Sequence, residues 1–338
     1  MTIIMYRALH LPFFIYLFFF HSLLKAQTRY EYTHQQMGTQ IGLVFYYNDQ
    51  LKADSIAQLV FGRIDELNAT LSNYLPQSEI NLLSNSPYMN VAVSEDLFRL
   101  MSISGDYAKR TNGAFDITLG PLIELWKKAR ENRQVPSIAE IKTAQQRTGY
   151  GKVEFPTGNT VRLKQEGMQL DVGGIGKGFA ADEAISLLKR NGVNAALVDM
   201  GGDVTVSGAP PNREFWVLGF SYYSENGEEV FQKVKLKNQA VATSGDLYQY
   251  AVIDGKRYSH IINPKNGMAL SNNIQVTVVA ANGAMADAYA SALSVLGIEE
   301  GRNIVQKTPD LEAFMVEDIP GAYKKWNSPG FVKSIVED

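Results

Sequence analysis

Residues 170–184, LDVGGIGKGFAADEA, set four glycines (Gly173, Gly174, Gly176 and Gly178) around one lysine, Lys177, with a carboxylate, Asp171, just before them. A glycine-rich turn that opens a helix suits phosphate chemistry. Bare backbone N–H groups can approach an anion closely, and the positive end of the helix faces it. A lysine adds a compact charge able to meet a phosphate oxygen. Two familiar nucleotide patterns nevertheless fail. The P-loop needs glycine, four residues, then Gly-Lys-Ser/Thr; here Gly178 follows Lys177 and Asp171 stands where the first glycine should be. The dinucleotide fingerprint Gly-x-Gly-x-x-Gly starts at Gly174-Ile175-Gly176, but Phe179 occupies its third glycine position. Asp199, at the end of a later strand, is what keeps a Rossmann oxidoreductase in view. The loop alone is equally consistent with a glycine-rich helix start that holds no ligand.

Other stretches carry reactive side chains. HIINPKNG (260–267) holds His260, one of four histidines, at the end of a hairpin strand. A histidine can move a proton near neutral pH, yet at a strand end it is also an ordinary surface residue. ATSGD (242–246) places Thr243, Ser244 and Asp246 in a turn, where such residues are common for capping reasons alone. In MADAYASAL (285–293), Asp287 and Ser291 are four apart, so one helix face presents both oxygens. The alanines around them, Ala284, Ala286, Ala288 and Ala290, permit close approach, whether to a ligand or to another helix.

The elements that must position these residues are mixed. GTQIGLVFYY alternates as a strand should. KADSIAQLVFGRIDELNATLS places Ile56, Leu59, Val60, Ile64 and Leu67 at helical spacing. SEDLFRLMSISGDYAKRTNG repeats that pattern, with Ser94 as N-cap and Gly113 as stop. TVRLKQEGMQLDVGG reads as two short strands joined near its Glu-Gly, and YQYAVIDGKRYSHII as a hairpin around Asp254-Gly255. IQVTVVAA is a β-branched strand, and GAMADAYASALSVLG a small-residue helix ending at Gly297. Without a regular βαβ rhythm, the class is α+β, with largely antiparallel sheets packed against helices.

Length and composition set the bounds. The chain has 338 residues, 45% of them hydrophobic, and a formal charge of −3. That is globular composition without a nucleic-acid footprint. Cysteine is absent, so neither a disulfide nor a thiolate metal site can form. Residues 1–26 combine a charged start, a run from Leu11 to Leu24 that is apolar apart from His21 and Ser22, and a small residue, Ala26. This reads as a signal peptide, with an uncleaved N-terminal anchor as the alternative. Either expectation puts residues 27–338 outside the cytoplasm, in the periplasm, and an anchor would hold them near the inner membrane.

An ordered set of motifs goes further. MGT (37–39), LSNYLPQSEI (71–80), NGAFDITLGPL (112–122), DVGGIGKGFAADEA, DMGGDV (199–204), ATSGD, HIINPKNG and MADAYASAL together resemble the FAD:protein FMN transferase (ApbE) family, over roughly residues 30 to 335. The resemblance implies one catalytic domain that moves FMN from FAD to a Thr or Ser hydroxyl of an acceptor flavoprotein, releasing AMP. It implies a magnesium ion held by the Gly174 carbonyl, Asp287 and Ser291, the serine replacing the family's usual threonine. Ala284 stands where some relatives carry a further acid. FAD contacts are implied for Met37, Tyr74, Ala114, Phe115, Asp116, Asp171, Lys177, Thr243, His260 and Ile261, with His260 and Asp287 as catalytic candidates. Asn263-Pro264 replaces the usual Asp-Pro. An FAD pyrophosphatase and a non-catalytic FAD carrier are the competing readings.

Overall fold

The computed structural model describes residues 27–245, 250–319 and 322–337. The proposed signal segment and Asp246 lie outside the described residues. The chain opens with β1 (Thr28–Gln36) and β2 (Thr39–Tyr47), then α1 (Gln50–Leu71), α2 (Glu79–Ser84), β3 (Val91–Ala92) and α3 (Glu95–Arg110). Next come α4 (Gly120–Asn132), α5 (Ile138–Gln145), β4 (Val153–Glu154), β5 (Thr160–Leu163) and α6 (Gly176–Arg190). A run of strands follows: β6 (Ala196–Asp199), β7 (Val204–Ser207), β8 (Trp216–Tyr223), β9 (Glu229–Leu236), β10 (Ala240–Gly245), β11 (Tyr250–Ile253), β12 (Lys256–Ser259) and β13 (Ile274–Ala280). The chain closes with α7 (Gly283–Lys307), β14 (Leu311–Ile319), β15 (Ala322–Asn327), α8 (Pro329–Ser334) and β16 (Ile335–Val336).

Among the described residues, the main sheet has eight strands in the order β1-β2-β6-β7-β10-β13-β14-β15. Every neighbouring pair is antiparallel. This fits the α+β expectation and removes the Rossmann reading, which requires parallel strands. Strand β13 lies inside the sheet, between β10 and β14, and is buried along its whole length. One of its faces meets α7: Val276 and Val278 pack with Ala286, Tyr289 and Leu293. The other face joins Val279, Phe314 and Val316 to Trp216, Phe220 and Phe331, below the small β16-β9-β8 sheet. A strand covered on both sides must be apolar at every position, which is why its sequence is a continuous β-branched run rather than an alternating one.

Local signals explain most boundaries. On α1, Ile56, Val60, Ile64 and Leu67 face the core, whereas Leu59 sits on the outer side, 55% exposed. The Ser94 hydroxyl accepts the Leu97 N–H and caps α3. The Gly113 N–H donates back to the Ala108 carbonyl at φ 77°, ending that helix. Asp254 and Gly255 both take positive φ, as the β11–β12 hairpin requires. Three expectations change. GTQIGLVFYY becomes a strand only from Thr39, because Gly38 lies with Met37 in the turn from β1, a strand unrecognised in the sequence. The segment around Gln169 forms only one bridge, to Leu119, because no second strand runs alongside it. Gly297 does interrupt its helix (φ 70°, ψ 178°), but α7 resumes beyond it to Lys307.

Helices α6 and α7 cross where two glycines meet. A β-carbon on Gly178 would stand 2.1 Å from the Gly283 carbonyl oxygen, and one on Gly283 would stand 2.5 Å from that of Gly178. Asp182, one turn along α6, accepts the N–H groups of Gly283 (2.6 Å) and Ala284 (2.9 Å), closing the N-terminus of α7. Burial pushes the Asp182 carboxyl up to about 6, against the opposing pull of those two amides.

Two tests follow from this crossing. Gly178→Ala must force two backbones apart and should cost at least about 1–3 kcal/mol, measured by denaturant unfolding; an unchanged midpoint would contradict the contact. Asp182→Ala should cost about 1–3 kcal/mol through the two orphaned amides. Because the folded-state pKa of Asp182 lies above the unfolded value, its contribution to stability is greatest at low pH and is lost as pH rises through about 6. The wild-type minus Asp182→Asn difference in stability should therefore fall between about pH 4 and about pH 7, and a flat difference would refute it.

Candidate active site

The glycine loop is built for close approach rather than for unusual backbone angles, since none of Gly173, Gly174, Gly176 and Gly178 takes a positive φ. Gly173 donates its N–H to Asp171 Oδ1 (2.8 Å), turning the chain. At Gly174 a β-carbon would meet Ser291 Oγ at 2.8 Å and the Phe115 ring at 3.7 Å. Gly176 packs on Val172, and Gly178 lets α7 in. The last contact also brings the Gly178 N–H to Asp287 Oδ2 (3.2 Å). The helix N-terminus thus meets a carboxylate of the protein, which a phosphate-cradling loop would not present.

Gly174, Asp287 and Ser291 therefore come together, with Asp287 and Ser291 one turn apart on α7. Asp287 is buried, and this single long amide bond is a thin counterweight for a carboxylate. Desolvation, and then repulsion from Asp203, push its pKa far above the ordinary carboxylate range; Lys177 and the Gly178 amide pull the other way. A buried carboxyl in that state favours either a proton or a cation. The oxygens available near it, its own carboxylate, the Ser291 hydroxyl one turn along α7 and the backbone carbonyl of Gly174, which packs on Ser291, are hard donors of the kind magnesium takes, an ion that commonly binds one or two carboxylates and completes its shell with water and phosphate. Among the described residues no group of three or more His, Cys, Asp or Glu side chains could hold a metal. An ion at Asp287 would lean on the neutral oxygens of Ser291 and Gly174.

Lys177 is half-buried, and its ammonium pairs with Asp203 on the turn before β7. Burial works against its charge, but Asp203, Asp287 and Asp199 outweigh that and hold its pKa above the usual lysine value. The second oxygen of Asp203 accepts the Thr243 N–H (3.3 Å), and Thr243 Oγ1 lies 3.0 Å from Thr277 Oγ1 across the β10–β13 pair. Asp203 thus ties α6 to β10 through one carboxylate. Nothing in the sequence singles out Asp203 beyond the DMGGDV turn that carries it, in which Asp199 Oδ1 accepts the Gly202 N–H (2.7 Å).

The remaining candidates lie around this centre. Asp171 is held by the Asn73 side chain (2.5 Å) as well as by the Gly173 amide, while burial raises its pKa. Tyr74, next to Asn73, is 84% exposed and forms no part of a closed cradle here. Ala114 and Phe115 are buried. The Asp116 side chain is spent on the protein itself, accepting from the Thr118 N–H and hydroxyl (both 2.8 Å) and the Tyr150 N–H (3.1 Å). Met37 occupies the β1–β2 turn at φ 52°. His260 is exposed at the end of β12, followed by Ile261, whose carbonyl accepts the Leu270 N–H. Asn263 organises the next turn: its side chain accepts the Lys265 N–H (2.9 Å), and its carbonyl accepts the Gly267 N–H (2.8 Å). An asparagine does this without the charge of the aspartate it replaces.

Known proteins share both the sequence pattern and the fold of this chain. A "FAD:protein FMN transferase" of Klebsiella pneumoniae is 29% identical over 289 residues, covering 85% of this chain and 89% of that one. One of Treponema pallidum is 32% identical over 241 residues, 67% of each chain. Among solved structures, the ApbE protein of Thermotoga maritima superposes with a TM-score of 0.81 at 32% identity, covering 92% of this chain and all of that one. The flavin transferase ApbE of Vibrio cholerae gives 0.83 at 25% identity, covering 91% and 99%. A match to the ApbE family spans residues 37–315, so this chain belongs to the ApbE family.

Proposed function

We propose that this chain is an FAD:protein FMN transferase: it binds FAD and moves the FMN portion to a Thr or Ser hydroxyl of an acceptor flavoprotein, releasing AMP. The observation that carries the reading is the buried Asp287 carboxylate, held by the Gly178 amide one turn from Ser291, which itself packs on Gly174, beside the Lys177–Asp203 pair. Asp287, Ser291 and the Gly174 carbonyl would hold a magnesium ion, which when bound would neutralise charge on the pyrophosphate.

The acceptor oxygen attacks the FMN-side phosphorus, the P–O bond to the AMP phosphate breaks, and the hydroxyl proton passes to a base. His260 is the side chain assigned to take that proton. Lys177 is kept charged by its acidic neighbours and supplies a fixed positive centre for the phosphoryl oxygens, as a reaction governed by positioning and electrostatics requires. Asp203 restrains that ammonium and the Thr243 amide together. With residues 1–26 acting as an export signal or anchor, the reaction would take place in the periplasm.

The direct test is to incubate the chain with FAD, Mg²⁺ and an acceptor domain bearing a flavinylation threonine, and to weigh the acceptor. An FMN-sized mass gain is expected; free FMN and AMP formed at the same rate without acceptor would favour the pyrophosphatase instead. Asp287→Asn should lower transfer by at least about a hundredfold. It should nevertheless melt no lower than wild type without metal, because it removes a buried carboxyl that resists ionisation. Mg²⁺ should raise the melting temperature of the wild type but not of this variant. Asp203→Asn should lower transfer by about tenfold or more by loosening Lys177, and a wild-type rate would remove Asp203 from the site.

A further inference from the structure

The β1–β2 turn carries a residue in an unfavourable conformation. Both Met37 (φ 52°) and Gly38 (φ 72°) are left-handed. Glycine adopts that region freely, but methionine is uncommon there, so something must hold it. Three consecutive inward side chains of β1 are tied to α1. The Tyr32 hydroxyl donates to Asp54 Oδ1 (2.7 Å), His34 Nε2 lies 2.8 Å from Asp65 Oδ1, and Gln36 Nε2 donates to the same Asp65 oxygen (2.6 Å). The His34 ring also stacks on Phe61 of α1, with centroids 4.9 Å apart. Only Gln36 reaches beyond the strand: its Oε1 accepts the N–H of Met37 at 3.1 Å. Beyond the turn, Thr39 packs on the Gly201 backbone, where a β-carbon would lie 2.1 Å from Thr39 Oγ1. The hairpin tip therefore rests on the Gly201-Gly202 turn, whose next residue is Asp203.

We propose that Gln36, clamped by Asp65, is a positioning residue that holds the Met37 turn against the site and so sets how the flavin ring is seated. The inference rests on the reading that FAD binds here with Met37 against the flavin. A primary amide is the group the geometry demands, because it must donate to a carboxylate at one end and accept a backbone N–H at the other. A glutamate at position 36 would accept at both ends and set two carboxylates against each other. Exchanging the pair, with glutamate at 36 and asparagine at 65, restores a donor facing an acceptor.

The test measures FAD dissociation constants and the absorption spectrum of bound flavin in the full chain. Gln36→Glu should weaken FAD binding by about tenfold and move the spectrum towards that of the Met37→Ala complex. Adding Asp65→Asn to Gln36→Glu should bring both back to within about twofold of wild type. Tyr32→Phe, which removes a bond between the same strand and helix away from the tip, should change neither. Wild-type affinity and spectrum in Gln36→Glu, no rescue in the double variant, or an equal effect of Tyr32→Phe would each overturn the proposal. Because the readout is binding rather than transfer, a wild-type chain that binds FAD without transferring it would sink the transferase reading and leave this measurement decisive; a wild-type chain that binds no FAD would sink both.

Discussion

Everything in the site depends on how closely α6 and α7 approach each other, and that approach exists because Gly178 and Gly283 put backbone against backbone. The metal-ligand candidates lie on both sides of this contact, with Gly174 on the loop that opens α6 and Asp287 and Ser291 on α7. Any side chain at the crossing would separate them. The Asp182 cap acts in the same direction, spending a carboxylate to close the end of α7. The amides at that end are then satisfied within the protein, so an incoming anion must be met by Lys177 or by a cation.

The second constraint is electrostatic. Asp287, Asp203 and Lys177 share a poorly solvated region in which one ammonium faces more than one carboxylate. Lys177 is kept charged and Asp287 is held back from ionising. A divalent cation is the simplest group that would relieve the imbalance, and the ligand would supply the anion that such a cation needs. Unbalanced buried charge of this kind is a common condition of sites organised to bind charge.

Around this centre the remaining candidates sit at the ends of elements: Met37 on the β1–β2 turn, Tyr74 after α1, and His260 after β12. Each is carried by a firm element, yet each lies at its end, where a ligand can be admitted. Tyr74 is well exposed, unlike the buried Ala114 and Phe115.

Much of this was legible in the sequence. Helical spacing, capping residues and the Asp254-Gly255 turn express local backbone physics that needs no partner. The α+β class followed from the order of elements, and the order of the motifs identified the family. Other features were settled only by folding. Leu59 had the right spacing for the core but faced out, because helical periodicity fixes a stripe and not its edges. Gln169 paired only at a single bridge because a strand needs a neighbour. The glycines of LDVGGIGKGFAADEA suggested a phosphate cradle, yet Gly174 and Gly178 admit a second helix more than a hundred residues away. Asp203 had no assigned role until Lys177 and Thr243 were brought to it. The sequence by itself determined which local conformations and chemical groups were available. The tertiary structure decided which groups would share a buried, low-dielectric space, because burial and charge pairing arise from long-range contacts that no local pattern encodes.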